Sequence, residues 1–444
     1  MSDLEMAVKT LAAKKQKYDE FWDYYDGDQD LVFNATKLRE IFSGIDARFT
    51  ENWCGVVIDS ALDRLTLERF NVANDKKNTE RLNQLFTGTE LSLDADDAHL
   101  AALVTGEAFI VAWREEGGEV EAHYNDPRTC HIFYEPDDPR QKRFAVKWWT
   151  NGGYRYVNLY YPDQIEYYRS RNEVMDGENM SDESFMEIEG PATNPYGVIP
   201  VFHLRRERRK IRSELANVKE PQDSLNKLVS DMMVSAEFGA FRQRYAISQD
   251  NIKGKLKNAP NEIWTIPAGD GEGQQTTVGE FSATALDNYL KAIDQRANTI
   301  AVISRTPKHY FFSQSGDPSG ESLIVQEGPL NKKVKRYISR FSATWQSVAQ
   351  FLLLLDGVTV ERSAIEPMFA LPETIQPMTQ ATIRQTNVGA GMPLITVLKM
   401  EGWSEQDIEE MLKDAERMAA SQQAGIGAAV LSEMEKLDKG GSEG

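Results

Sequence analysis

The chain has 444 residues, enough for two or three domains, and its 41 % apolar and 27 % charged residues are an ordinary mixture for a protein with a real core. A net charge of −19 excludes tight binding of duplex DNA or an anionic membrane surface by the protein as a whole, because such binding draws on surplus Lys and Arg. Two scattered cysteines (Cys54 and Cys130), no basic-then-apolar leader and no apolar run approaching the roughly 20 residues of a membrane span read as a soluble chain made in a reducing cytoplasm.

Helical periodicity covers Leu4 to Tyr25 and stops at Gly27. A second helix is expected over Thr50 to Phe70, with Trp53, Val57, Ile58, Ala61, Leu62 and Leu65 on one face, followed by helical stretches over Asn78 to Leu85 and Asp94 to Thr105. The period then changes. "EAFIVAW", "EVEAHY", "CHIFYE", "RFAVKWW", "YRYVNLYY" and "QIEYYRS", between Glu107 and Ser170, are β-branched and aromatic and are separated by Gly, Pro, Asn and Asp. They read as an antiparallel sheet with short turns, and the acidic stretch Asn172 to Asn194 as a long surface loop.

After "YGVIPVFHL" comes the one dense basic cluster, "RRERRKIR", with Arg205, Arg206, Arg208, Arg209, Lys210 and Arg212. Three readings stand: a solvated face, a partner for acidic surface on a neighbouring subunit, or a phosphate contact. From Glu220 the pattern is helical, with Leu225, Leu228, Val229, Met232, Met233, Ala236 and Ala240 in one stripe. Residues 245–282 break into Gly, Pro and short apolar pieces, a small β-type insertion. Another helix is expected over Ala283 to Ser304, with Leu286, Tyr289, Leu290, Ile293, Ala297, Ile300 and Ala301 on one side. On its polar face Asp287, Lys291, Asp294 and Asn298 recur at i, i+4, i+7 and i+11.

The stretch "KHYFFSQSGDPSGES" puts aromatics before small, turn-forming residues, and Gly316, Pro318 and Gly320 keep the flanking helices from fusing. Beyond it Leu330, Val334, Tyr337, Ile338, Phe341, Trp345, Val348, Leu352 and Leu355 step by three and four, which as a straight helix runs roughly 39 Å. Pro329 within this run predicts a bent helix. Short helices are expected over Thr379 to Thr386, Leu394 to Met400 and Glu405 to Ala420, and the last residues, 421–444, read as a frayed tail.

No phosphate-cradling loop, nucleophile elbow or zinc-binding His pair is present. "GDGEGQ" is Gly-rich, but Asp270 and Glu272 would repel a phosphate. His123 and His131 fall on strands expected to be neighbours and could approach each other, although isolated histidines are usually structural. Composition and motifs therefore point to a mechanical or assembly role, with no cofactor, no metal and no catalysis of its own.

Four phrases carry a resemblance: "YYDGD" (Tyr24 to Asp28), "NWCGVVIDSALDRL" (Asn52 to Leu65), "YGVIPV" (Tyr196 to Val201) and "SGDPSGESL" (Ser315 to Leu323). In this order they resemble the portal, or head-to-tail connector, proteins of tailed bacteriophages of the long non-contractile-tailed type. The resemblance implies an α+β portal fold: a wing over 1–214, stem helices over 215–244 and 283–305, a β-containing clip over 245–282, a tunnel loop over 306–319, a long kinked helix over 320–357 and a helical crown over 358–420. It implies a homo-oligomeric ring of about twelve subunits in the virion, at the capsid vertex, with double-stranded DNA passing through during packaging and ejection. The implied partners are the large terminase subunit, a head-completion or adaptor protein, and the major capsid protein with its scaffold, with docking at a clip that contains Glu262, Trp264, Asp270 and Glu272.

Under this resemblance a lining poor in cations would let DNA slide. Asp287, Lys291, Asp294 and Asn298 would face the channel, or else form an outward face or an ion-pair seam between subunits. From the loop, His309, Tyr310, Phe311, Phe312, Ser313, Gln314, Ser315 and Asp317 are the channel candidates. Either an aromatic collar projects to the axis, or the rings pack between subunits and only Gln314, Ser315 and Asp317 face the bore. Two other readings remain at this point: a metal-dependent enzyme acting on nucleic acid through dispersed carboxylates, and another structural adaptor of the virion.

Overall fold

A computed structural model describes residues 2–30, 51–115, 117–174, 180–240, 244–247, 277–281, 285–312, 320–372, 377–401, 403 and 407–418. The chain divides into two compact units, Met1–Pro372 and Glu373–Gly444.

In the first unit, helix α1 (Asp3–Asp26) begins where the Ser2 hydroxyl accepts from the Glu5 N–H at 3.1 Å, and ends at Gly27 with φ +83°, a left-handed cap that glycine adopts without strain. Helix α2 spans Trp53–Leu62 and is capped by the Asn52 side chain on Gly55 N. The helix expected as far as Phe70 stops short: Leu67–Val72 is strand β1. Its partner is strand β12 (Ile365–Phe369), antiparallel, with Phe70 opposite Pro367. This places 365–369, which the resemblance assigned to the crown, in the first unit. Helices α3 (Lys76–Gly88) and α4 (Leu91–Val104) follow.

Two antiparallel sheets come next. One has the order β3-β2-β9, from β2 (Glu107–Arg114), β3 (Val120–Asn125) and β9 (Val201–Arg205). The other is a meander of β4 (Cys130–Tyr134), β5 (Lys142–Asn151), β6 (Tyr154–Tyr160), β7 (Gln164–Ser170) and β8 (Phe185–Thr193). Strand β8 lies inside the acidic stretch read as a loop. It is an edge strand with nearly all of its side chains exposed, so it lacks the alternation that marks a half-buried strand.

Helix α5 (Lys219–Ala240) packs with α6 (Leu286–Ser304), and a short hairpin of β10 (Arg244–Ile247) and β11 (Thr277–Glu280) lies between them in sequence. Helix α7 (Gly320–Leu355) runs unbroken through Pro329, which cannot donate to the Val325 carbonyl.

The main core lies where α7 crosses the N-terminal helices. Leu330, Val334, Phe341, Trp345, Val348 and Leu352 are fully buried, the period read from the sequence. Trp345 meets Phe70 and Phe86, and its indole N–H donates to His99 Nε2 at 2.9 Å, while the His99 ring stacks on Phe341 with centroids 5.1 Å apart. A second core joins Leu4, Val8 and Leu11 of α1 to Phe144, Val146, Val157 and Leu159 of the meander. A third fills the space between the sheets with Phe109, Cys130, Ile132, Ile165 and Val201. Burial pushes the Cys54 and Cys130 thiols up to about 12, so both are unreactive packing residues.

The second unit contains α8 (Pro377–Gly389), α9 (Leu394–Met400) and α10 (407–418). Arg384 forks onto the Glu401 carboxylate at 2.6 and 3.0 Å and lies over the Trp403 ring. Among the described residues no helix is long and apolar enough to cross a membrane, and no group of three or more His, Cys, Asp or Glu is placed to hold a metal ion.

Candidate functional site

Helices α5 and α6 pack together, Ile293, Ala297, Ile300 and Ala301 of α6 are buried, and the Ser235 hydroxyl donates to the Tyr289 hydroxyl at 3.0 Å. Asp287, Lys291, Asp294 and Asn298 share one exposed face, as their spacing requires. Asp294 pairs with Lys308 at 2.9 Å and accepts from the Asn298 amide at 3.5 Å. Leu286 and Leu290 depart from expectation. They continue the buried stripe, yet they are 37 % and 54 % exposed although α5 reaches Tyr289 between them. Val302, 78 % exposed, and Ile303, 43 %, are uncovered at the other end.

Residues 308–310 form a 3₁₀ turn at the root of the expected tunnel loop, and the aromatics after α6 do not project freely. Phe311 and Phe312 lie on Trp53 of α2 with centroids 5.5 and 5.1 Å away. The Tyr310 hydroxyl accepts from Arg64 Nη2 at 2.7 Å and donates to Glu327 at 3.4 Å, and the His309 ring stacks on Tyr310. In a single copy all four rings are half-buried, and Tyr310, Phe311 and Phe312 pack on the protomer's own core, which removes apolar area from water. Ser313, Gln314, Ser315 and Asp317 lie outside the described residues, as do Glu262, Trp264, Asp270 and Glu272 of the clip. Phe311→Ala combined with Phe312→Ala is expected to raise proteolytic cleavage within 306–319 about tenfold with little change in global melting, since only the docking of the loop root is lost. Unchanged cleavage in limited proteolysis would contradict this packing.

The basic cluster does not form one surface. Arg208, Arg209 and Lys210 are exposed, and Arg205 lies over the Tyr134 ring at 5.4 Å. Arg206 turns inward: it pairs with Glu214 at 2.7 Å and donates to the Arg212 carbonyl at 2.7 Å and the Tyr337 hydroxyl at 3.2 Å. Glu214 also receives Lys333 at 3.0 Å. Burial alone would raise its pKa, but Lys333 and Arg206 outweigh burial and hold it below the usual carboxylate range. Arg212 is held by the Asn217 side chain. Beside this network is a cavity of about 260 Å³, whose wall also includes Arg305, Arg336 and Arg340. Sequence reading missed this convergence, although Lys333, Arg336 and Arg340 recur at i, i+3 and i+7, which places three cations on one face of α7.

A family model described as phage portal protein, SPP1 Gp6-like, matches residues 8–423. The chain belongs to that portal family. It is 24 % identical over 398 residues to the portal protein of Mycobacterium phage D29 and 23 % over 398 residues to that of Mycobacterium phage L5, in each case over 82 % of this chain and 78 % of the relative. Among solved structures it is similar to a chain of the virion of a native gene transfer agent particle, at 13 % identity, TM-score 0.42, 80 % of this chain and 88 % of the other. It is also similar to a chain from the neck of an empty gene transfer agent particle, at 12 % identity, TM-score 0.44, 82 % and 95 %. A portal protein is a structural component of the phage particle, the conduit for DNA at a capsid vertex.

In this portal protein His123 and His131, expected to approach each other, sit on different sheets, and each meets a lysine instead. Lys147 Nζ is 3.2 Å from His123 Nε2, and Lys14 Nζ is 2.7 Å from His131 Nδ1. Lys14 also reaches Glu107 at 2.6 Å. The fully buried Glu107 carboxylate further accepts from the Tyr18 hydroxyl at 2.5 Å and meets His203 Nε2 at 2.8 Å. This polar knot ties α1 to both sheets.

Proposed function

We propose that copies of this chain close head to tail into a ring of about twelve around a channel for double-stranded DNA, with α5 and α6 as the stem. The observation that carries this is on α6, which presents a polar stripe to solvent and leaves Leu286 and Leu290 bare in a single copy. Uncovered branched apolar residues beside a polar stripe suit a helix flanked by neighbours on one side and by water or DNA on another. Asp287, Lys291, Asp294 and Asn298 face the bore. Two carboxylates, one amide and one amine repeated around a ring give a lining that does not hold phosphates by counterion release.

In the same reading the wing, 1–214, meets the major capsid protein and scaffold, and Gln314, Ser315 and Asp317 of the tunnel loop approach the DNA. The clip, whose base is the β10–β11 hairpin, docks first the large terminase subunit and then a head-completion protein through the segment containing Glu262, Trp264, Asp270 and Glu272. Electron microscopy of the purified protein, alone and with scaffold, is expected to give annular particles with a hole wide enough for duplex DNA. Single protomers under both conditions would refute the ring, and metal-dependent turnover of nucleic acid by such protomers would favour an enzyme.

A further inference from the structure

The cavity between the loop after β9, the end of α6 and the polar face of α7 carries an unbalanced charge. Six of its lining side chains are cationic and two are acidic, in a chain with 69 acidic and 50 basic residues. Both acids are already engaged. Glu214 spans Arg206 and Lys333, and Glu207 lies 3.7 Å from Arg206 and 3.8 Å from Arg209. Arg340 donates to the Arg206 carbonyl. That leaves Arg305 and Arg336, both exposed, with no side-chain partner among the described residues. Arg305 caps α6 at φ +60°, a left-handed conformation that glycine would adopt without penalty.

We propose that this cavity receives an Asp or Glu carboxylate of the adjacent copy in the ring, and is incomplete without it. The inference rests on the ring reading above. The neighbourhood favours a protein surface over a phosphate. Val302 and Ile303, on the turn before Arg305, are exposed, and Ile303 lines the cavity itself. A DNA backbone or a free phosphate would use the guanidinium groups and leave these aliphatic side chains bare. A neighbouring copy uses both, setting a carboxylate in the planar fork of an arginine and apolar surface on the branched side chains. The chain's own acidic surplus supplies the complementary charge.

The test is the double variant Arg305→Gly, Arg336→Gln. Glycine suits the backbone at 305 and both side chains are exposed, so circular dichroism and melting of the protomer should match wild type. In sedimentation velocity, half-assembly into rings should need about tenfold more protein or greater. A second arm uses rings of Arg336→Lys built from equal parts ¹⁵N-labelled and unlabelled protomers and treated with a zero-length carbodiimide. Crosslinked peptides of mixed label, joining the substituted position to an Asp or Glu, are expected. Wild-type rings together with normal assembly of the double variant, or with no mixed-label crosslink, would overturn the proposal. A double variant that assembles normally but loses affinity for duplex DNA or inorganic phosphate would assign the cavity to phosphate and also overturn it. A wild type that never forms rings would instead bring down the ring reading.

Discussion

Glu107→Ala is expected to destabilise the first unit by about 3–5 kcal/mol, because it removes the acceptor around which Lys14, Tyr18 and His203 are arranged and strands an ammonium group in the interior. Burial would raise the Glu107 pKa, but the His203 hydrogen bond and Lys14 overcome it and hold the carboxyl well below its ordinary 4.5, so it is ionised in the folded protein. The double variant Lys14→Met, Glu107→Leu removes both charges at similar volume and should recover most of the loss. Urea unfolding measures all three proteins, and a single variant within about 1 kcal/mol of wild type would show that the knot is not a stability determinant.

Glu107 and two buried histidines, His131 beside Lys14 and His99 against Trp345, shape the response to acid. A carboxylate whose folded pKa is depressed contributes fully above its unfolded pKa and loses that contribution as pH falls toward the folded value. Burial holds both His99 and His131 at about 3, in the case of His131 aided by Lys14. Below about 6.5 the unfolded chain takes up these protons and the folded chain does not, so each histidine removes up to about 1.4 kcal/mol per pH unit on the way down. Wild-type stability should therefore decline from about pH 6.5 and more steeply below 4.5, and Glu107→Ala should show a shallower second part, the share owed to the depressed Glu214 carboxyl remaining.

Gly106→Ala is expected to be at least as damaging as losing a buried aromatic ring. Gly106 has φ +102°, and a β-carbon built there would lie 2.6 Å from the Arg212 backbone nitrogen and carbonyl carbon. No side-chain motion relieves a clash with backbone, so either β2 or the loop after β9 must shift. The Gly106 carbonyl accepts the Arg206 N–H at 3.1 Å, so the shift reaches the Arg206–Glu214 pair and the cationic cavity. Strain and overpacking together should cost about 3 kcal/mol or more. Gly88→Ala is the control: it lies in α3 with nothing within 4 Å of the added carbon, and should be neutral or stabilising by about 0.5–1 kcal/mol. Equal urea midpoints for the two variants would remove the steric argument.

The parts of this fold that could be read from the sequence are those whose cause is local. The three-and-four stepping from Leu330 to Leu355 is one helix face, and every residue of the stripe except the half-buried Ile338 is buried. The strands from Glu107 to Ser170 announced themselves through β-branched and aromatic runs between turn residues. What could not be read depends on distant chain. Phe70 looks like the end of a helix until Pro367 is placed opposite it. Strand β8 has a polar, exposed composition and is a strand because β7 offers it an edge. The packing of Phe311 and Phe312 on Trp53 could not be read, because Trp53 is remote in sequence. Arg206 looked like its neighbours Arg208 and Arg209, and nothing local distinguishes the arginine that meets Glu214 in the interior.

The pairing of Leu67–Val72 with Ile365–Phe369, together with Trp345 between Phe70 and Phe86, bears on how the protein is made. Roughly 300 residues separate the two strands, so at about 5–20 residues per second a nascent chain waits roughly 15–60 s between the emergence of its first strand from the ribosome and that of its mate. For most of that interval Phe70, Phe86 and His99 lack the indole of Trp345 that covers them. Synthesis of this protein thus exposes an aromatic cluster of its main core to chaperones on every round of translation, and a message cut short before codon 345 yields a polypeptide that lacks the indole closing that core.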